Sequence, residues 1–578
     1  MKNIAVHGLP RAVALFSISA LVWTACSSPS ASPTPASTKP QSAPTSAAAA
    51  TAAPAAAAKS EPKPAAKPSV QRVVMSIAPA TIESNDVRHV GQTSTWQIKP
   101  IYEYLLGVDS ATGKLVPQLA TEWKMEKDGL AIRFMLRKGV PFHHDSGEFT
   151  AKDVVFSWQN LTRPDSLHNE SGWWRALVKE IEVVNDYEVV FNLSRVDSGF
   201  FRAIGESESG MEMRSLVHYE KAGEPTMQSQ PIAGTGPYQY RSRVQGSNVI
   251  FDRVPYQHWR VTPDFPEFEF RFQKEASTRL AALQAGEVHI ANLPEDLLVD
   301  AQKRGYQVVK GTQAALRAAG GFQCCFLNDI RDPSKGYKYP DSPLMDVRVR
   351  KALNKAINRD ELNKAFFGGK GELMYVNHFH PTRPGWNPDW EKRFPDEYGY
   401  DPAKARALLA EAGKSDLRTN MHVFTLPQYS GADDIAESIA GYWEKIGVTV
   451  SRVQIEGDAR QAGTREQRYD NHFWMYGTSS SLLTGIFTQS SSRGSRTAPV
   501  EDPVVDKLLD DVRATFDEDK QEVLFRQLGE EIFVRQINAP LFWLPAEVLV
   551  NTRVVGGWEF PGSITGNWTH LHNVKAAP

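Results

Sequence analysis

The sequence predicts an α/β protein of more than one lobe, and three observations carry that prediction. Its 578 residues exceed what one hydrophobic core ordinarily organises. Apolar residues recur at two periods, alternating over short runs and returning every three to four residues over longer ones. The two kinds of segment interleave from about residue 70 onward, as in an α/β chain rather than in separate helical and strand blocks.

The elements follow in order. QRVVMSIAP (71–79) opens the body as an edge or core strand. In LAIRFMLR (130–137), Ile132, Phe134 and Leu136 alternate with Arg133 and Arg137, the pattern of a half-buried strand. A helix follows in GEFTAKDVVFSWQNL. Thr150 is placed to cap it, Asp153 sits three residues on, and Val154, Val155, Trp158 and Leu161 form an apolar stripe. DYEVVFNLS (186–194) is a further strand, and GTGPYQY (234–240) is a turn entering an aromatic one. TRLAALQAGEVHI (278–290) reads as a helix closed at Gly286 and then a strand. Further on, Val349, Leu353, Ala356 and Ile357 share a helical face, and Asp401, Pro402 and Gly413 cap, start and stop the next helix. IGVTVSRVQIE (446–456) is a strand. DPVVDKLLDDVRATF and EVLFRQLGEEIF are amphipathic helices, and APLFWLPAEVLV is a returning strand.

A net charge of -2 and the lack of Lys/Arg clusters interleaved with stacking aromatics argue against a nucleic-acid partner. The N-terminus is more telling. Lys2 and Arg11 bracket a charged region, and AVALFSISALVW (12–23) is an apolar run of signal-peptide length, too short to span a bilayer. Thr24 and Ala25 before Cys26 resemble a bacterial lipobox, with Trp23 where a Leu is usual. Residues 1–25 are thus expected to be a signal peptide, with an ordinary secretory signal as the alternative, and Cys26 the lipid-modified first residue. Residues 26–69, nearly all Ser, Ala, Pro, Thr and Lys, have too little apolar surface to offset the entropy of ordering and form a solvated tether. The adjacent Cys324 and Cys325 fit no zinc spacing and are expected to be buried small hydrophobes, a vicinal disulfide being the alternative.

These segments, in this order, resemble solute-binding protein family 5, the extracytoplasmic binding proteins of ABC importers for peptides, nickel, opines and oligosaccharides. The resemblance spans about 73–550. Its most specific stretch is KPIYEYLLGVDSATGKLVPQLATEWKMEKDGLAIRFMLRKGVPFHHDSGEFTAKDVVFSW. GTGPYQY, RLAALQAGEVHI, DVRVRKALNKAINRDEL, YDPAKARALLAEAG and DPVVDKLLDDV support it in the family's order. The resemblance implies a two-lobed, type II periplasmic-binding-protein-like fold with the ligand cleft between the lobes. Lobe I would comprise 70–326 and 495–578, with an inserted subdomain at about 100–233, and lobe II would comprise 327–494. FQCCFLND (322–329) would cross between them, placing both cysteines in a hinge strand. The implied function is capture of a small solute (an oligopeptide, an oligosaccharide or a related compound) and its delivery to an ABC permease, by a monomeric, lipid-anchored protein outside the cytoplasm. No cofactor and no catalytic step are implied.

The resemblance also points to site residues. HFWMYGTSSS (472–481) aligns with a lobe II strand and loop that face the cleft. Alternation sends Phe473 and Met475 one way and Trp474 and Tyr476 the other. Trp474 and Tyr476 are therefore expected at the ligand, with Gly477, Thr478, Ser479 and Ser480 supplying hydrogen bonds. Peptide-binding relatives commonly place an Asp shortly after this aromatic to pair with the peptide's amino terminus, and here Thr478, Ser479 and Ser480 stand instead. A buried, unpaired ammonium is costly, which favours a neutral, sugar-like or anionic solute. Glu83, Ser84 and Asn85 lie where the family often contributes to the cleft, or form a plain polar turn. Arg383 meets a carboxylate or lies in a loop. His378 and His380, like His143 and His144, are weak metal candidates against a surface-histidine reading, and Trp173 with Trp174 is a sugar-stacking surface or packing.

Three other functions compete. A secreted hydrolase lacks support, because the chain has no GxSxG elbow and no HExxH helix. A tethered receptor that signals, and a nickel or metal-chelate binder, would both use the same fold. Cys26→Ser is expected to move the protein from the membrane fraction of producing cells to the soluble one. An unchanged membrane fraction would contradict the lipid anchor.

Overall fold

Strand Arg72–Ile77 is covered on both faces, so its apolar residues run together instead of alternating. Val73, Met75 and Ile77 enter one core with Phe251, Phe268 and Phe270, while Val74 enters a smaller one with Leu283, Leu298 and Leu549. The strand pairs in parallel with Glu267–Phe272 and with Ile290–Ala291. The computed structural model describes residues 68–80, 82–90, 94–168, 170–206, 210–224, 232–423, 432–454, 463–464, 466–476, 482–489, 500–562 and 568–578. The expectations for Cys26, the tether and Gly477, Thr478, Ser479 and Ser480 fall outside them.

One 11-stranded sheet joins the two halves of the body. Its order is Thr449–Val453, Arg418–His422, His472–Tyr476, Gln307–Gln323, Asn538–Val550, Ile290–Ala291, Arg72–Ile77, Glu267–Phe272, Asn248–Arg253 and Tyr238–Val244, with Glu372–Leu373 set against Asn538–Val550. Two of these strands are unusually long, at 17 residues for Gln307–Gln323 and 13 for Asn538–Val550. At roughly 3.3 Å per residue the first spans about 55 Å, enough to serve two cores. Val309 packs on the first core, whereas Ala318 and Phe322 belong to a second. In the same way Ala546, Val548 and Val550 lie in the first core, and Ala539, Leu541 and Leu544 in the second. The two strands pair antiparallel, and their register slips between Lys310 and Ala314, between Ala314 and Leu316 and between Ala318 and Ala319. Such irregularities bend a ladder and sharpen its twist.

The second core gathers Val349, Leu353, Ala356 and Ile357 with Ile435, Ile439 and Trp443. Helices Pro503–Arg513 and Glu518–Val534 contribute Val505, Leu509, Leu528 and Ile532 to it. Residues 500–544 thus pack with the segment expected to form lobe II, not with lobe I as the expected boundary at 495 required. The apolar stripes of these helices are plain in the sequence, but a stripe does not state which core it covers. Cys324 and Cys325 directly follow the crossing strand, buried in the second core as expected but joined in the vicinal disulfide that was the alternative.

Residues 105–213 form a third core beneath an antiparallel sheet ordered Ala120–Glu126, Ala131–Leu136, Glu188–Leu193 and Val178–Asn185. Ile132, Phe134 and Leu136 point into it. Helix Ala151–Leu161 begins where the Asp153 carboxylate accepts the Thr150 N–H at 2.9 Å and its hydroxyl at 3.0 Å. Trp174 is fully buried, edge-on to Trp173 at 5.2 Å, so this pair is packing and not a sugar platform. The chain returns to the first core through GTGPYQY. A Cβ on Gly236 would stand 2.6 Å from the Pro100 carbonyl oxygen, so the approach requires glycine. His143 secures this turn, its Nε2–H donating to the Gly236 carbonyl at 2.8 Å and its Nδ1 accepting the Gly234 N–H at 3.4 Å.

Two measurements check this packing. A Cβ on Gly320 would overlap the ring of Phe473, itself fully buried and edge-on to Trp443 at 4.9 Å. Gly320→Ala should destabilise the protein by about 1–3 kcal/mol in urea unfolding, and unchanged stability would contradict the packing. Burial lowers the His143 pKa to about 3, against about 6.5 in the unfolded chain. Between those values the unfolded chain binds the proton and the folded one does not. The contribution is therefore intact above about pH 6.5 and is lost as pH falls toward about 3. His143→Gln should lose less thermal stability on acidification than the parent, and parallel curves would refute this account.

Candidate functional site

A cavity of about 480 Å³ opens between the second core and the inserted subdomain, within the range usual for small-molecule sites. Every part of the fold contributes to its wall. Val108 and Phe201 come from the insertion, Gln313 from the crossing strand, Arg383 and Leu482 from the second core, and His570 from the C-terminal segment. A second hollow of about 510 Å³ runs along 253–257. Its described lining residues all lie within 253–266, so among the described residues no second core faces it.

Arg383 is held by its surroundings. Its guanidinium lies over the Trp543 ring at 4.5 Å, and its Nη1 donates to the His378 carbonyl at 3.2 Å. Trp543 is fixed in turn by Nε1 donating to the Phe379 carbonyl at 3.2 Å. Burial lowers the Arg383 pKa to about 10, which leaves it a cation at neutral pH held at an unfavourable position. The segment carrying it is a turn, not a strand. His378 has φ 77°, so His378 and His380 do not share a face as two metal ligands would. His380 instead bridges Glu372 at 3.1 Å and Thr382 at 2.8 Å, with its ring edge-on to Trp543 at 5.6 Å. Among the described residues no group of three metal-binding side chains occurs.

The insertion supplies the opposing charges. Burial raises the Glu206 carboxyl, but His570, Arg260, Lys99 and the Val108 N–H together bring it below the usual carboxylate range. Gln118 Nε2 donates to Glu206 at 3.2 Å, and His570 Nε2–H donates to the Val108 carbonyl at 2.7 Å, which joins the C-terminal segment to the insertion. Arg202 is lowered to about 10 by burial, with Glu170 opposing the shift, Arg513 adding to it and Asp197 opposing it.

Beside the cavity the insertion touches the second core directly. Arg513 meets buried Asp197 through Nη2 at 2.5 Å and Nε at 3.3 Å. The Ser198 N–H donates to the Arg513 carbonyl at 2.8 Å, and Gln521 Nε2 donates to Ser198 Oγ at 2.9 Å. Phe201 meets Phe516 edge-to-face at 5.6 Å. These contacts and the cavity use the same faces, so separating the faces breaks one as it opens the other.

The predicted site residues scatter around this cavity. Phe473 and Met475 join the second core, while Trp474 and Tyr476 leave the strand on its other face, as alternation requires. Trp474 is only 2% exposed, edge-on to His422 at 5.0 Å, and is not among the cavity's described lining residues. Tyr476 packs against Met374 and Trp543 and accepts from Asn538 Nδ2 at 3.1 Å, one layer behind Arg383. Glu83, Ser84 and Asn85 form a packed polar turn away from the lining. Arg243 donates to Asn85 Oδ1 at 3.0 and 3.1 Å, the Asp86 N–H donates to Ser84 Oγ at 3.0 Å, and the Gly246 N–H donates to Glu83 at 3.0 Å. Of the predicted residues the structure describes, Arg383 lines the cavity. Sequence reasoning missed Arg202, Glu206, Gln313 and His570. A cation inside the apolar run GFFRAIG was the one available sign of Arg202.

Residues 114–495 match the family described as bacterial extracellular solute-binding proteins, family 5 Middle. The dipeptide-binding protein of Escherichia coli (strain K12) is 28% identical over 464 residues, covering 74% of this chain and 81% of that protein. Heme-binding protein A of Haemophilus influenzae is 26% identical over 475 residues, covering 77% and 81%. Among solved structures, the periplasmic binding protein DppA of Helicobacter pylori in complex with the peptide STSA superposes with a TM-score of 0.67 at 23% identity, covering 88% of this chain and 98% of that one. These relatives are binding proteins and not enzymes. The two cores, the inserted subdomain and the cleft between them are the architecture of that group, and the chain belongs to family 5 of the bacterial extracellular solute-binding proteins.

Proposed function

We propose that the protein captures a small solute in the 480 Å³ cavity and presents it, enclosed, to an ABC permease. The observation that carries this reading is that one cavity draws its wall from both cores, which two bulged strands join. A solute touching both walls favours the closed arrangement over the open one, and that differential contact is what drives closure. The lobes in this reading divide between Lys310 and Ala318 and between Leu544 and Ala546. Gly477, Thr478, Ser479 and Ser480 remain proposed ligand contacts because they connect Tyr476 to Leu482, which lines the cavity. Trp474 is assigned to supporting that wall. Cys26 is the proposed lipid anchor.

Relatives named for dipeptides and for heme leave the solute open within the family. Native mass spectrometry of freshly purified protein should find a retained small molecule, and deletion of the gene should reduce uptake of that compound. Unchanged uptake with a lost cellular response would favour a signalling receptor instead.

The contact beside the cavity gives a second test. Arg513→Gln removes the doubly bonded cation of buried Asp197 and leaves it only the more exposed Arg195, at 3.2 Å, as a partner among the described cations, a loss of about 2 kcal/mol expressed mainly in dissociation. The retained solute should leave at least tenfold faster, while Lys507→Gln, on the exposed side of the same helix, should change nothing. Equal dissociation rates in both variants would detach this ion pair from closure.

A further inference from the structure

Arg260 is held between two imidazoles whose bonds require both to be neutral. Its Nη1 donates to His572 Nε2 at 3.0 Å. A guanidinium has no lone pair to offer, so that ring nitrogen accepts and carries no proton. On the other side, His258 Nε2–H donates to the Thr235 carbonyl at 2.8 Å. Its Nδ1 is thereby left to accept the Arg260 N–H at 3.3 Å and the Val261 N–H at 3.4 Å. Arg260 Nε also donates to the buried Glu103 carboxylate at 3.0 Å, at the start of the insertion. The loop at 258–261 thus ties the insertion to the C-terminal segment. In that segment Thr569 and His570 line the cavity, and His570 Nε2–H donates to the Val108 carbonyl at 2.7 Å.

We propose that His572 and Arg260 form an acid-sensitive clasp, in which a proton on His572 frees the C-terminal segment from the loop at 258–261 and withdraws its part of the cavity wall. A proton on Nε2 removes the acceptor and sets a second cation at hydrogen-bond distance from the guanidinium, in a site largely closed to water. The charges around His572 do not offset it. Arg260 and Lys575 are cationic, and His570 and His258 would add charge of the same sign. Burial acts in the same direction, so the His572 pKa lies well below its ordinary value of about 6.5. The carboxylates of this region are engaged elsewhere. Glu103 accepts from Arg260 and from Trp259 Nε1, and Asp264 accepts from Lys575 at 3.5 Å and from the Ala576 N–H at 3.0 Å. Glu206 and Asp109, which face His570, accept from Gln118 and from Thr112.

The clasped form thus excludes a proton that the freed form binds near pH 6.5, so the clasp is intact above that pH and acid favours its release. The neighbouring histidines are less suited to the role. His570 Nδ1 lies 2.9 Å from the Thr569 hydroxyl, which donates to a neutral ring and turns to accept from a charged one, so the bond to Val108 survives protonation. His258 has the Glu103 carboxylate 3.7 Å away to answer an added charge.

The test is amide hydrogen exchange of the full chain, read by mass spectrometry at pH 7.5 and pH 5.0 with rates corrected for the intrinsic effect of pH. It needs no solute, so its result is independent of the solute-binding reading. One proton taken up near pH 6.5 shifts the clasp by up to about thirtyfold between those conditions. Protection of 568–576 should therefore fall about tenfold or more at pH 5.0, while Glu267–Phe272, packed in the same core, keeps its own. His572→Gln retains an acceptor for Arg260 but takes no proton, and should hold the protection of 568–576 at both pH values. His570→Gln should lose that protection in acid as the parent does. Equal protection at the two pH values in the parent would overturn the clasp whatever the variants do. So would a loss that His572→Gln does not diminish, or one that Glu267–Phe272 shares to the same degree, which would be a general loosening of the core.

Discussion

The structure depends on a constraint in one place, where Gln307–Gln323 and Asn538–Val550 run side by side out of one core and into another. A continuous antiparallel ladder is stiff along its strands, yet this one slips register three times within a few residues. The covalent path therefore holds both cores at a fixed separation while its pairing tolerates bending and twist. Dense interiors resist deformation, so movement concentrates where packing gives way to strand pairing alone. A cavity placed between two such bodies is built from rigid walls with a compliant joint, and under the proposed function it shuts when something inside is attracted to both.

In the proposed reading, the polar contacts of the insertion tune closure. Asp197 and Arg513 lie on opposite sides of the interface, nearly buried and doubly hydrogen-bonded. Such a pair gains little over two hydrated ions when intact, but leaving one partner alone is expensive. It thus sharpens the closed geometry more than it deepens it, and leaves the solute's own contacts to decide the balance. Phe201, set edge-to-face on Phe516, adds apolar area to the same interface and also lines the cavity, so a bound molecule and the interface share a wall.

Much of the fold was legible because the relevant physics is local. Thr150 with Asp153, Asp401 with Pro402, and Gly286 in the left-handed conformation all end or start helices where residue chemistry says they should. The alternation across 472–476 placed Phe473 and Met475 correctly on the core face. What failed was non-local. The helices of 503–534 have apolar stripes that would fit either core, and only tertiary packing sends them to the second. His378 and His380 alternate in sequence like strand neighbours, but a left-handed residue turns one away. Trp474 faces away from the core as expected, yet His422 and Tyr469 close over it, and nothing near residue 474 announces them. The cavity's own residues came mostly from loops and element ends far apart in sequence, with Arg383 the exception that its setting of NHFHPTRP brought to notice.

The most direct test of this account is the distance between the two bodies with and without solute. Spin labels at Lys152→Cys, exposed on the insertion, and Lys404→Cys, exposed on the second core, report it by pulsed electron resonance. Protein stripped by unfolding and refolding should show a long, broad distribution, and protein saturated with its retained compound a shorter and narrower one. Identical distributions in the two states would contradict a body that closes on what it binds.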